Sequence, residues 1–271
     1  EEVYEALADD GARRFRPILR MARENGARII AVTNREDSTI ARESDIVLPV
    51  RAGVEVSVAA TKSFLAQMVV LYLLGIMLAE QRESKAISPE ALAELKTSLF
   101  RIPAIIEAVL TQKEGVQEIA KKYAVHTNAI FIARGINFPV AIEGALKLKE
   151  ISYIHAEGYS GSELKHGPIA MLDDRMPVFA VLVDGEVFEK MLSNCQEAKA
   201  RDAKVVAFTA RELTEDQRTT FEDVFVMPEV PELLSPLVTT VPLQLLAYYM
   251  AEYLGKDVDQ PRNLAKSVTV E

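Results

Sequence analysis

Within the stretch Pro139–Ile154, Glu143, Lys147 and Glu150 stand at i, i+4 and i+7, a spacing that stacks three ionisable side chains on one face of a helix. Two carboxylates around an ammonium can hold and move protons. For a helix taken alone, a solvated face tied by ordinary ion pairs is the simpler account. Its position argues for more. The stretch comes directly after a strand-turn, ARGIN (Ala133–Asn137), so its first turns fall at the carboxyl edge of a sheet, where parallel sheets hold their ligands.

The next segment, Ile151–Leu172, is dense in Gly, Ser and His for a connection between a helix and a strand, and it holds two of the chain's three histidines. His166 lies between Lys165 and Gly167–Pro168, a sequence that resists regular structure, so a loop is expected to present its imidazole. A loop histidine taken alone is more often incidental than catalytic. His155, expected on a helix end beside Ile154, reads as structural, and His126 has no supporting context. The chain ends in DQPRNLAKSVTVE (Asp259–Glu271), where disorder is the default for a terminal segment. A tail packed onto a site would instead deliver Lys266, and a desolvated lysine amine is the natural partner of a carbonyl or hemiketal carbon. Three histidines without ligand-like spacing and one cysteine give no reason to expect a metal. GINFPVAIEGA lacks the lysine arrangement of a P-loop and ARG-x-N is not a dinucleotide fingerprint, so no nucleotide cofactor is expected either.

The elements that must position these residues read as α/β. Ala12–Asn25 is an amphipathic helix stopped by Gly26, Arg28–Thr33 a buried parallel strand, Ser38–Glu43 a short Ser-capped helix, Asp45–Val50 a second strand and Val56–Gln81 a long apolar helix. Helices at Pro89–Val109 and Lys113–Tyr123 lead to a second series: strand Ala129–Ala133, helix Pro139–Ile154, strand Pro177–Val183 and helix Glu186–Ala200. The remainder of the chain echoes the first series. ARIIAVTN (Ala27–Asn34) resembles AKVVAFTA (Ala203–Ala210), SDIVLPV (Ser44–Val50) resembles EDVFVMPE (Glu222–Glu229), and the helix Val56–Gln81 corresponds to Leu233–Leu254. The shared unit is helix, strand, short helix, strand, long helix. In the second copy two strands and a glycine-containing strand–helix turn precede that unit, whereas only residues 1–11 precede it in the first, so the first copy is expected to be incomplete at its N-terminus.

Composition narrows the class. Forty acidic against 31 basic residues give a net charge of −9 with no basic block, which argues against nucleic acid as a partner while leaving a small anionic substrate open. A single cysteine, Cys195, permits no intrachain disulfide and suits the cytoplasm. The first ten residues lack the pattern of a signal peptide. The longest apolar run, Phe64–Ala79, contains Gln67 and falls short of the roughly 20 residues of a membrane span, so a buried helix is expected there and no membrane partner.

Taken together, EGALKLKEISYIHAEGY (Glu143–Tyr159), SELKHGPIAML (Ser162–Leu172), TVPLQLLAYYMA (Thr240–Ala251) and DVDQPRNLAKSVTVE (Asp257–Glu271) closely resemble the isomerase part of the glucosamine-6-phosphate synthases, from about Glu24 to the last residue. The resemblance implies two sugar isomerase (SIS) domains, each a parallel sheet between helices: 1–110, N-terminally incomplete, 111–256, and an active-site tail at 257–271. It implies conversion of fructose 6-phosphate to glucosamine 6-phosphate by ring opening, imine formation at C2 and a C1–C2 proton transfer. Carried over by motif, Glu150 moves the proton, Lys266 is the Schiff-base amine, His166 assists ring opening from a neighbouring subunit and Lys147 stands beside the sugar. Val58, Ala60, Thr61 and Ala265 fall at substrate-binding positions. A homodimer and a glutaminase domain that supplies ammonia are implied as partners; nothing like that glutaminase domain is present in this chain.

Two departures from the family pattern stand out. Where the family holds phosphate with a Ser-Gln-Ser-Gly-Glu-Thr loop, Leu7–Ala12 reads LADDGA, whose Asp9 and Asp10 repel a dianion. In GVEVSVAATKSF (Gly53–Phe64), Ala60 replaces a serine, a wording closer to SIS-type sugar-phosphate deaminases and deglycases. Those enzymes, a binding-only sugar-phosphate sensor and a structural SIS module are the alternatives.

Overall fold

The computed structural model describes residues 16–81 and 87–265. They fall into two compact units, Glu1–Ser84 with Asp259–Glu271, and Lys85–Val258.

In the first unit, helix α1 occupies residues 16–24 and turns at Gly26, whose φ of 76° is the left-handed conformation glycine adopts most readily. Strand β1 (Ile30–Thr33) pairs in parallel with β2 (Ile46–Pro49), Ile30 opposite Ile46. Between them lies α2 (Thr39–Arg42), its first turn capped by the Ser38 hydroxyl, which accepts from the amide of Ala41 at 3.3 Å. Helix α3 (Lys62–Gln81) closes the unit.

The second unit opens with α4 (Pro89–Thr111) and α5 (Lys113–Tyr123). It continues through β3 (Asn128–Ala133), α6 (Phe138–Ser152), β4 (His155–Ser160), β5 (Val178–Leu182) and α7 (Phe188–Lys199). Then come β6 (Val205–Thr209), α8 (Glu215–Arg218), β7 (Asp223–Val226) and α9 (Ser235–Tyr253). The five strands are all parallel in the order β4-β3-β5-β6-β7. Because side chains alternate along a strand, the sheet has two different faces. Ile130, Ile132, Val178, Ala180, Leu182 and Ala207 pack on Met191, Leu192 and Cys195 of α7. On the other face Phe131, Phe179, Phe208 and Phe225 form a ladder of rings with centroids 5.0–6.4 Å apart. Helices α5, α6 and α9 pack together over that side, with α4 against α9.

The repeat read from the sequence is present in both units, as β1-α2-β2-α3 and β6-α8-β7-α9. Each short helix starts on a hydroxyl cap, Ser38 in the first and Thr214 in the second, where Gln217 completes a capping box. The connection Ile151–Leu172 contains an element not read from the sequence, the edge strand β4, six residues in register with β3, followed by 3-10 turns at Leu164–His166 and Pro168–Met171. One expectation fails. The first long helix begins at Lys62 rather than Val56, and it is not a core helix. Only Ser63 and Ile76 are buried in it, and the helix lies over a sheet of just two described strands. Both α3 and α9 are long and apolar enough to cross a membrane by length and composition, but 72% of the α9 window is buried as a core helix against 6% of the α3 window.

Candidate functional site

Helix α6 is fixed at both ends and along one side. At its start, the buried Asn137 side chain donates to the Ser235 hydroxyl at 2.8 Å and accepts from Thr239 at 2.8 Å, which ties the turn before α6 to the first turns of α9. Every polar atom of this set has a partner, as burial requires. Along its side, α6 touches its neighbours through glycines. A Cβ on Gly144 would lie 2.8 Å from Leu243 of α9, and one on Gly158 of β4 would lie 2.6 Å from the Cα of Ile142. At the far end Tyr153 takes the left-handed conformation (φ 68°), and the chain turns straight into β4.

This frame places the charged face. Lys147 is buried, its side chain only 5% exposed, and its Nζ lies 2.5 Å from Glu150 Oε2 and 3.5 Å from Glu143 Oε1. The solvated ion-pair account of these three residues therefore does not hold. An ammonium withdrawn from water needs counter-charges, and here two carboxylates from the same helix supply them. Burial raises the Glu143 carboxyl above its ordinary range; Lys147 opposes the shift and repulsion from Glu150 adds to it. The cluster thus contains an ammonium, a carboxylate in close contact with it, and a second carboxyl that binds a proton more readily than usual. Those are the parts of a site that shuttles protons.

His166 ends the 3-10 turn Leu164–His166 and is exposed; among the described residues its imidazole has no hydrogen-bond or ion-pair partner. Among the described residues no hydrogen bond or ion pair joins His166 to Lys147, Glu143 or Glu150. His155, expected at a helix end, instead opens strand β4 and is exposed, 3.7 Å from Glu157 Oε1, because α6 already ends at Ser152. His126 does have context. Its ring stacks on Tyr123 at 6.0 Å and its Nδ1 lies 3.0 Å from the Arg175 carbonyl. Lys266 and the LADDGA segment with Asp9 and Asp10 lie outside the described residues.

The remaining expected residues belong to the first unit, in the loop between β2 and α3 and in the tail. Val58 and Ala60 are half-buried, and Thr61 and Ala265 exposed. Side chains that sequence reasoning does not single out hold this loop. Asn34, just after β1, donates to the Gly53 carbonyl at 2.7 Å and accepts from the Ala52 amide at 2.8 Å, bracing a turn in which Arg51 (φ 55°) and Gly53 (φ 70°) are both left-handed. The Glu55 carboxylate accepts from the Thr61 and Ser63 amides at 3.1 and 3.2 Å and from the Ser63 hydroxyl, and so caps α3. This is why the helix begins at Lys62 and not at Val56. The Val58 amide donates to the Asp259 carbonyl at 3.0 Å. A carboxylate a few residues ahead of an apolar helix hints at the cap, and only a fold-back of the intervening chain gives it meaning.

The SIS domain model matches residues 11–77 and 122–252. The chain is 51% identical over 255 residues to a glutamine–fructose-6-phosphate aminotransferase (isomerizing) of Gloeobacter violaceus, covering 93% of this chain and 41% of the relative. A protein of the same name from Thermococcus kodakarensis is 48% identical over 254 residues, again 93% of this chain and 41% of the relative. The chain therefore spans about two fifths of the length of the curated relatives it matches. Among solved structures, the C-terminal domain of glucosamine-fructose-6-phosphate aminotransferase from Francisella tularensis superposes with a TM-score of 0.82 at 37% identity, over 89% of this chain and 68% of that one. A glucosamine-6-phosphate deaminase from Thermotoga maritima superposes with a TM-score of 0.69 at 27% identity, over 90% of this chain and 67% of that one.

Proposed function

Given that the chain belongs to the SIS domain family, in the branch of the isomerizing glutamine–fructose-6-phosphate aminotransferases, we propose that it carries out the sugar half of that reaction. Fructose 6-phosphate becomes glucosamine 6-phosphate, with ammonia supplied by a glutaminase domain outside these residues. Identity of about 50% to the aminotransferases against 27% to the deaminase favours synthesis over the catabolic direction.

The observation that carries this reading is the buried Lys147 held between Glu143 and Glu150. Once the sugar ring is open, the ketone at C2 is attacked by an amine, the role assigned to Lys266, and water leaves as the Schiff base forms. Ammonia then displaces the lysine. The Glu150 carboxylate removes a proton from C1 and returns it to C2, while the C1 hydroxyl proton passes to the imine nitrogen, so that the C2 imine becomes an amine and the C1 alcohol an aldehyde. Lys147, in contact with Glu150, offsets charge as it develops, and Glu143, whose carboxyl is pushed up by burial, is a second group beside them that binds a proton readily. Val58, Ala60, Thr61 and Ala265 contact the sugar in this reading.

His166, exposed and unpartnered among the described residues, suits a role toward a sugar held on a second subunit, and the little-covered apolar helix α3 suits assembly. A homodimer in the cytoplasm is the corresponding state of the protein. The test is to incubate the purified chain with fructose 6-phosphate and ammonium and to measure glucosamine 6-phosphate. Product formation that falls by at least about a hundredfold in Glu150→Gln is expected. Equal product from parent and variant, or none from the parent at any ammonium concentration, overturns the reading.

A further inference from the structure

Outside the charged face of α6, the cleft at the amino edge of the second sheet beside His126, the apolar groove beside Pro231 and Leu233, and the arginine-rich face of α1 carry no indication of what would occupy them. The loop between β2 and α3 is different, because its shape is set by named side chains. It runs without regular structure from Arg51 to Thr61, yet it is held from both sides. Asn34 braces its start through paired bonds to Ala52 and Gly53, Lys62 reaches back to the Val54 carbonyl, and Val58 bonds to Asp259. In its middle, Glu55 turns its carboxylate onto the amino end of α3, where it receives the Thr61 and Ser63 amides and the Ser63 hydroxyl.

We infer that Glu55 is a positioning residue for sugar binding: by capping α3 it folds residues 56–60 into the one conformation that presents Val58 and Ala60. The inference rests on the function proposed above, which makes this loop a sugar contact. Its physical content is separate. Amides at the start of a helix carry partial positive charge and take an anion readily. In α3 that anion is the chain's own Glu55, so the helix end organises the loop and the phosphate of the substrate is held elsewhere. Without the carboxylate, Thr61 and Ser63 lose a charged acceptor, and the five residues between Glu55 and Thr61 lose the closure that shapes them. Gln at the same position retains an oxygen within reach of both amides and gives up only the charge.

The experiment compares the parent chain with Glu55→Ala and Glu55→Gln in two measurements: KM and kcat for fructose 6-phosphate in the ammonium assay, and hydrogen exchange at the Thr61 and Ser63 amides. Ala is expected to raise KM about tenfold with kcat within about threefold, while Gln restores most of the loss. Exchange is expected to rise in Ala at Thr61 and Ser63, with the second unit unchanged. An Ala variant with parental KM overturns the inference, as does one whose exchange rises throughout the chain, since that marks general unfolding. A parent with no product dependent on Glu150 is a different result: it defeats the proposed function, and exchange alone then judges whether Glu55 shapes the loop.

Discussion

Helices α3 and α9 close the same repeated unit, have similar length and are both strongly apolar, yet 6% of one and 72% of the other is buried. Composition does not separate them; surroundings do. Helix α9 packs on α4, α5 and α6, in a unit whose sheet has five strands, and its residues from Ser235 to Leu243 are all buried. Helix α3 lies in a unit with two described strands, and Leu71, Leu73, Met77 and Leu78 are each at least 40% exposed. An apolar helix is buried in proportion to the elements available to cover it, so a duplicated sequence need not yield two equally covered helices.

This contrast can be broken by measurement. The largest effect is expected in the second unit from Lys147→Ala, which leaves Glu143 and Glu150 facing each other without a cation; thermal or denaturant unfolding should show a loss of about 3–5 kcal/mol. Leu246→Ala on α9, at a fully buried position, should cost about 2–5 kcal/mol in the same assay. Leu71→Ala on α3, 54% exposed, should stay within about 0.5 kcal/mol. Should Leu71→Ala cost as much as Leu246→Ala, α3 is covered in solution and the contrast disappears; unfolding measured over a range of protein concentrations then tells whether a second copy provides the cover.

The smallest effect is in pH dependence. The folded-state pKa of Glu143 is raised, so the folded chain binds a proton there more tightly than the unfolded chain does. Stability from this group is complete below the ordinary carboxylate pKa and is lost as pH rises through the raised folded value. Glu143→Gln removes that loss. A melting temperature that falls across this range in the parent and stays flat in the variant is the expected result, and identical slopes contradict it.

How far the sequence discloses this molecule varies with how local the cause is. Strands β1, β3, β5 and β6 are short apolar runs, and the Ser38 cap sits next to its helix, so each is visible in a window of a few residues. The i, i+4, i+7 placement of Glu143, Lys147 and Glu150 is equally local. Their burial is not, because it depends on elements distant in the sequence, α9 and β4, packing against α6. Strand β4 (HAEGYS) escapes notice in the sequence since it has no β-branched residue and only Ala156 buried; what makes it a strand is the space that Gly158 leaves for α6. The start of α3 is obscured for a similar reason, as the apolar pattern runs on through Val56 and Val58 while the Glu55 carboxylate, received from the other side of a loop, stops the helix at Lys62.

The contact between Gly158 and the backbone of Ile142 has a consequence for how such a chain can vary over generations. The spacing between the edge strand and the helix that bears Glu143, Lys147 and Glu150 equals the thickness of a residue with no side chain. A methyl group at 158 acts as a shim: it lifts the whole helix and tilts all three charged groups together. Drift in this stretch is therefore freer at the exposed His155, while Tyr159 is tied to the core on the other face of the sheet and the hydrogen atom at 158 serves as the gauge by which the charged groups are aligned.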